Sequence, residues 1–220
     1  MNLRKKVFLL SALALASLSS SAFAATECMF QESMSVDLKF DKTLSFDMSK
    51  WNVPSSGFAP VTGDIQATST DHVRSVCNHG QDGQTLQGRD QSAGEDLEKY
   101  YTENGNQYLM YHTSLKGLYY GVKIKNPNCA DVSGYLPPDQ SYAPLVDVGD
   151  DDEKSCMNND NDWTFSIKFF TGPEFKVAHN TSFNSAVAGN HGSFRISGAG
   201  DDVDDRSVAV KTVQINGYSQ

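Results

Sequence analysis

A chain of 220 residues with 39% hydrophobic content holds enough apolar material for one folded domain. Its formal net charge of −9 excludes nucleic acid and anionic membrane surfaces as partners met through basic charge.

The start of the chain reads as a secretory signal. Arg4, Lys5 and Lys6 precede an apolar run from Val7 to Leu18, and Ala22-Phe23-Ala24 supplies a small-x-small cleavage pattern. The run is shorter than the ~20 residues a spanning helix needs, so no membrane anchor is expected. Removal of residues 1–24 takes away three bases and no acid, which leaves the mature chain more acidic still. Residues 25–220 are expected to form a single domain.

Four cysteines follow: Cys28, Cys77, Cys129 and Cys156, with no C-x-x-C pair. In an exported chain an even count of widely spaced cysteines predicts two disulfides rather than a redox or metal site. Of the three pairings that four cysteines allow, the sequential one is expected, Cys28–Cys77 and Cys129–Cys156.

The dominant hydrophobic period is two. Met34, Val36, Leu38 and Phe40 alternate with polar residues, and Leu44, Phe46 and Met48 continue that parity. Ser92 with Glu95 forms a possible capping box ahead of Leu97, Tyr100 and Tyr101, which predicts one short helix or turn. Leu118, Tyr120, Val122 and Ile124 alternate again, as do Trp163, Phe165, Ile167 and Phe169. Phe194 and Ile196 mark a further strand. The parity of Val208 and Val210 differs from that of Val213 and Ile215, which predicts a bulge or break between them. Turn formers separate these runs at Asn104-Gly105-Asn106, Asn126-Pro127-Asn128, Leu136-Pro137-Pro138-Asp139 and Thr171-Gly172-Pro173. The fold class is therefore all-β, an immunoglobulin-like or lectin-type β-sandwich with two disulfides.

Tyrosines crowd the centre of the chain, from Tyr100 to Tyr142. Tyr111, Tyr119, Tyr120 and Tyr135 are candidates for a ligand surface, since a ring stacks on the apolar face of a sugar while nearby amides and acids take its hydroxyls. The opposing reading places alternate tyrosines in the core. His72, His79 and His112 are candidate ligands for zinc, three imidazoles with an open position, although no H-x-H or H-E-x-x-H pair is present. The acidic runs Asp150–Glu153, Asn158–Asp162 and Asp201–Asp205 lack the spacing of a calcium loop and read as solvated loops. No other cofactor is expected. Neither a G-x-S-x-G elbow nor a phosphate loop occurs, so no enzymatic activity is expected; a carboxylate pair of a hydrolase is the pattern that would overturn this.

The chain resembles exported subunits of chaperone–usher fimbriae, most closely the tip-adhesin type. The resemblance lies in Thr26-Glu27-Cys28 with the alternating strand Met34 to Phe40, in the segment Tyr111 to Ile124 that turns at Gly117 into an aromatic strand, in Thr164 to Phe170 with Gly172-Pro173, and in Gly192 to Ile196 with the closing region. It implies a periplasmic chaperone, an usher and neighbouring fimbrial subunits as partners. It also implies a host or environmental glycan as receptor, and a place on a fimbrium at the cell surface reached through the periplasm. Some members are metal-dependent through histidines, which bears on the zinc candidates. Pilins of this type lack their last strand and take it from a partner. Only three residues separate position 24 from Cys28, too few to donate a strand. The chain departs from pilins in ending Tyr218-Ser219-Gln220, without a penultimate aromatic. The implied role is adhesion, with a structural minor pilin as the alternative.

Overall fold

The computed structural model describes residues 28–40, 42–47, 49–77, 83–92, 99–148, 156–157, 162–177, 182–187, 189–198 and 210–219. The signal segment, His79, Glu95, Leu97, Met48, Val208 and most of the three acidic runs lie outside the described residues.

The described residues form strands and no α-helix. In chain order the strands are β1 Cys28–Phe30, β2 Met34–Lys39, β3 Ala59–Pro60, β4 Ile65–Ser69, β5 Ser75–Cys77, β6 Gln84–Asp90, β7 Tyr100–Glu103 and β8 Asn106–Leu109. They continue with β9 Tyr111–His112, β10 Leu118–Lys125, β11 Ser133–Tyr135, β12 Ala143–Asp147, β13 Thr164–Thr171, β14 Asn190–Gly198 and β15 Thr212–Ser219.

The main sheet runs β11-β10-β13-β4-β2-β15-β14-β6-β12 and curls into two facing layers. The layers meet at β4, which pairs with β13 through residues 65–67 and with β2 through Thr68 and Ser69. A strand that switches sheets makes such a corner. Val36, Leu38, Leu86, Phe194, Ile196, Val213 and Ile215 face Val122, Ile124, Phe165, Ile167 and Phe169 across one buried core. The period-two expectation for β2, β10, β13 and β14 therefore holds, and the fold is an all-β sandwich. Trp163 closes one end of the core against Phe30 and donates its indole N–H to Ser75 Oγ at 2.9 Å.

The disulfides are Cys28–Cys77 and Cys129–Cys156, the sequential pairing. The first joins β1 to β5, whose antiparallel register places the two cysteines opposite each other.

The last strand completes the sandwich. β15 pairs antiparallel with β14 and parallel with β2, so an element from the C-terminal end lies between two others. Its bulge falls between Asn216 and Tyr218. At the parity slip there is a break rather than a bulge: Val210 and Lys211 lie outside the strand, which begins at Thr212.

Two further expectations are corrected. Tyr100 and Tyr101 belong to no helix; they open the hairpin β7–β8. The turn Asn104-Gly105, with φ of 53° and 82°, decides this, because two successive left-handed residues make a tight hairpin turn whose twist matches its strands. Leu44 and Phe46 do not extend β2. Residues 42–47 are irregular, and Phe46 packs on Trp51, Phe175 and Phe183 as a plug over the open end of the core.

The hairpin β7–β8 covers the outer face of β10 and β13. Tyr101 and Tyr108 lie with Met110, Tyr119, Tyr135 and Phe170 in a second apolar cluster. Burial on both faces explains why five successive residues of β10, Leu118 to Val122, are buried.

Candidate functional site

The sheet does not close on itself. Its end strands β11 and β12 approach side by side without pairing: a Cβ on Gly134 would lie 2.6 Å from Leu145 Cδ1. A register shift between Pro144 and Val146 sends Leu145 out of the ladder with β6 and into this seam. Pro144 at mid-strand is tolerated because β12 is an edge, where a missing N–H costs no ladder bond.

A cavity of about 380 Å³ opens along the seam. One wall is the hairpin tip, with Asn106, Gln107 and Tyr108; the other is Pro137, Pro138, Asp139 and Pro144. Its floor is β11 with Tyr135 and, beside it, Lys123. On β11, Gly134 pairs with Ile124, while Leu136 N–H donates to Val122 O at 2.9 Å and Asn126 N–H to Val132 O at 2.9 Å. The even positions thus bond to β10, and the backbone groups of Ser133 and Tyr135 turn toward the seam.

The floor is electrostatically ordered. The Tyr135 hydroxyl donates to Asp64, which also accepts from Lys123 Nζ at 2.9 Å. Burial works against the charge on Asp64, yet the bonds from Tyr135 and Lys123 outweigh it and hold the carboxyl below its ordinary range. Burial, and then the neighbouring Asp64, push the Tyr135 phenol upward, so it stays a neutral donor. Tyr108 packs on Tyr135 with ring centroids 4.0 Å apart, and burial with Glu103 nearby raises its phenol to about 12. Lys168 Nζ bonds Glu103 Oε2 at 3.0 Å and ties the hairpin to β13. The site is therefore rigid, nearly charge-balanced at its floor, and rimmed by amides, prolines and a carboxylate. Such a lining offers hydrogen-bonding groups beside apolar contact surface.

The four tyrosine candidates separate in the fold. Tyr135 lines the seam. Tyr111 and Tyr120 are 0% exposed and present no ring face to solvent. Tyr111 bonds Asp90 Oδ1 at 3.3 Å and the carbonyl of His191 at 3.0 Å, and Tyr120 bonds His191 Nε2 and Ser185 Oγ. Tyr119 is buried between Phe58 and His112, with its hydroxyl on Glu174.

Of the histidine candidates His79 lies outside the described residues, and His72 and His112 lie apart in different surroundings. His72 bonds Asp162, which also accepts from Arg74 Nε at 3.1 Å, beside a shallow cleft between β4 and β13. His112 Nε2 accepts from Lys99 Nζ at 3.1 Å. Among the described residues no group of three or more His, Cys, Asp or Glu side chains is arranged to hold a metal.

His191, which the sequence did not single out, is the buried histidine among the described residues. Its ring lies 4.5 Å from that of Tyr111, and Ser185 Oγ is 3.2 Å from Nε2. This contact has the members of a Ser–His pair but not the arrangement. Tyr120 also occupies Nε2, and the Ser185 hydroxyl donates to Val187 O at 3.1 Å. Burial pushes the His191 imidazole down to about 4, against a smaller opposing effect of its bond to the Gly189 carbonyl. The cluster is structural.

The sequence did not point to Gln107, Asp64, Lys123 or Pro144. The turn signals at Asn104-Gly105 and Pro137-Pro138 were the available hint, because loops at the end of a sandwich carry sites.

Fold and seam together define an all-β sandwich whose described residues include β15 between β2 and β14 and a polar-aromatic cavity at an open edge. No protein-family model matches the chain, and no curated protein matches it. Among solved structures it is similar to the ambient temperature fimbriae adhesin AtfE of Proteus mirabilis, at 16% identity and a TM-score of 0.39 over 85% of this chain and 92% of that one. It is also similar to the CupB6 tip adhesin of Pseudomonas aeruginosa, at 10% identity and a TM-score of 0.38 over 87% of this chain. The match spans about half, 51%, of the CupB6 chain.

Proposed function

We propose that this protein is a fimbrial adhesin-like subunit that binds a surface glycan or another hydroxyl-rich receptor in the seam between β11 and β12. Export through the periplasm, assembly by a chaperone and usher, attachment to neighbouring subunits and display on a fimbrium belong to this reading, as does cleavage after Ala24. No covalent step is involved.

The observation that carries it is β15. A pilin leaves a groove for a partner's strand, and an empty groove exposes an unpaired, apolar edge. Here β15 occupies the position between β2 and β14, with Val213 and Ile215 wholly buried. A self-completed sandwich supports a receptor-binding domain over a subunit that polymerises by strand exchange. The seam supports the ligand class: amides at the hairpin tip for hydroxyls, prolines and the Tyr108–Tyr135 pair for the apolar face of a sugar ring. A cavity of this size supports weak single-site binding, with avidity from many copies.

The test is expression of residues 25–220 in an oxidising periplasm without a chaperone, followed by thermal unfolding and a glycan array. A cooperative melt and binding that Gln107→Ala weakens are expected. Aggregation cured by a donor-strand peptide would move the structural pilin to first place.

A further inference from the structure

Tyr142 lies on the outer face of the sheet, beside the seam residues Ala143 and Pro144 on β12. Two guanidinium groups lie over its ring: Arg89 Cζ is 4.5 Å from the centroid and Arg195 Cζ 4.1 Å. The register explains the grouping. Arg89 on β6 pairs with Ser193 and Gln87 with Arg195, so all four side chains share the face opposite Leu86, Phe194 and Ile196.

The guanidinium groups are held by their inner nitrogens. Arg89 Nε donates to Ser193 Oγ at 3.2 Å, and Arg195 Nε to Gln87 Oε1 at 2.7 Å. The Tyr142 hydroxyl shares Ser193 Oγ at 2.7 Å. Ser193 is 0% exposed and Gln87 7%, so the anchors are rigid. Among the described residues no carboxylate forms an ion pair with Arg89. In a chain of net charge −9, a stacked arginine whose Nε is bonded to a neutral hydroxyl keeps its terminal nitrogens for another acceptor.

We infer that Arg89, supported by Tyr142 and Arg195, is an anion subsite of the seam, and that the glycan bound there carries a carboxylate or sulfate group. This rests on the seam as the receptor site. The two places are contiguous: Asp90 N–H donates to the carbonyl of the seam residue Asp139 at 2.6 Å, and β6 is one strand spacing, about 5 Å, from β12. Asp139 repels an acid at the cavity rim, which directs the acidic group across β12 toward Arg89. Guanidinium binds carboxylate and sulfate through paired N–H donors, a geometry that an ammonium does not reproduce.

The experiment is an affinity comparison on residues 25–220 with oligosaccharide pairs that differ in the acid alone: 3′-sialyllactose against lactose, oligogalacturonate against its methyl ester, and sulfated against unsulfated N-acetyllactosamine. The acidic member is expected to bind about tenfold or more tightly, as one charge-assisted contact implies. Raising the salt should shrink that ratio. Arg89→Gln should bring it to about one, and Arg89→Lys should recover part of it, each at an unchanged melting temperature. The carboxylate and sulfate pairs decide which acid is meant. Equal binding of both members, or a ratio that Arg89→Gln leaves intact, overturns the anion subsite; the seam then stands if Gln107→Ala weakens both members. No binding of any member overturns both.

Discussion

Acid should destabilise this protein through His191. The ring is 0% exposed, packed at a tilt against Tyr111 and hydrogen-bonded on both nitrogens, and burial lowers its pKa from 6.5 to about 4. The unfolded chain therefore binds a proton that the folded chain refuses throughout that window, and stability falls as pH falls from about 6.5 to about 4. The depression corresponds to about 3 kcal/mol in total, most of it lost by pH 4.5. Asp64 and Glu174, whose carboxyls are held below their ordinary range, contribute stability that is lost only at lower pH. Urea unfolding followed by tryptophan fluorescence at pH 7.5 and 4.5 measures the difference. His191→Gln keeps a neutral acceptor for Tyr120 and removes the titration. The variant should start less stable at pH 7.5 and then lose about 2.5 kcal/mol less than the parent on acidification. Equal losses in the two proteins would show that the imidazole is not the group responsible.

Other outcomes follow from the same packing. Deletion of residues 211–220 should abolish the cooperative melt, because Val213 and Ile215 leave a gap between β2 and β14, and a synthetic peptide of that sequence should restore it; a cooperative melt without the peptide refutes the role of β15. Replacing either cysteine pair with alanine should cost about 4 kcal/mol by loop entropy, since the disulfides close loops of similar order, with separations of 49 and 27 residues. Thermal melts of the two variants check this. Tyr135→Phe removes a donor to Asp64 and should cost about 1–2 kcal/mol at neutral pH. It should also raise the Asp64 pKa toward its ordinary value, read by carboxyl NMR titration, while an unmoved Asp64 would refute the bond.

The strands were legible where one face is core and the other is not. β2 alternates Val36 and Leu38 with Asp37 and Lys39, and its burial follows that alternation. β10 was legible only by half: the sequence showed Leu118, Tyr120, Val122 and Ile124, but not that a hairpin would bury the opposite face too. Tyr100 and Tyr101 lie in a strand rather than in the short helix or turn expected there, because the Asn104-Gly105 turn commits its flanks to a hairpin and aromatic rings spaced for a helix fit a strand equally well over so few residues. The tyrosines could not be sorted in advance. A tyrosine carries both an apolar ring and a polar tip, so the same residue suits a wet surface or a core that offers its hydroxyl a partner. Tyr111 and Tyr120 found such partners in Asp90, His191 and Ser185, from distant parts of the chain.

Local rules on the sequence therefore determined the all-β class, the main strands, the turn positions and the expectation of two disulfides, because alternation and turn chemistry act between near neighbours. Tertiary structure alone decided that β15 lies parallel to β2, that the sheet stops short of closure at Gly134 and Leu145, and that Arg89, Tyr142 and Arg195 share one face. Each of these depends on which strands become neighbours. That choice is set by the burial of the whole core at once, and no window of sequence contains it.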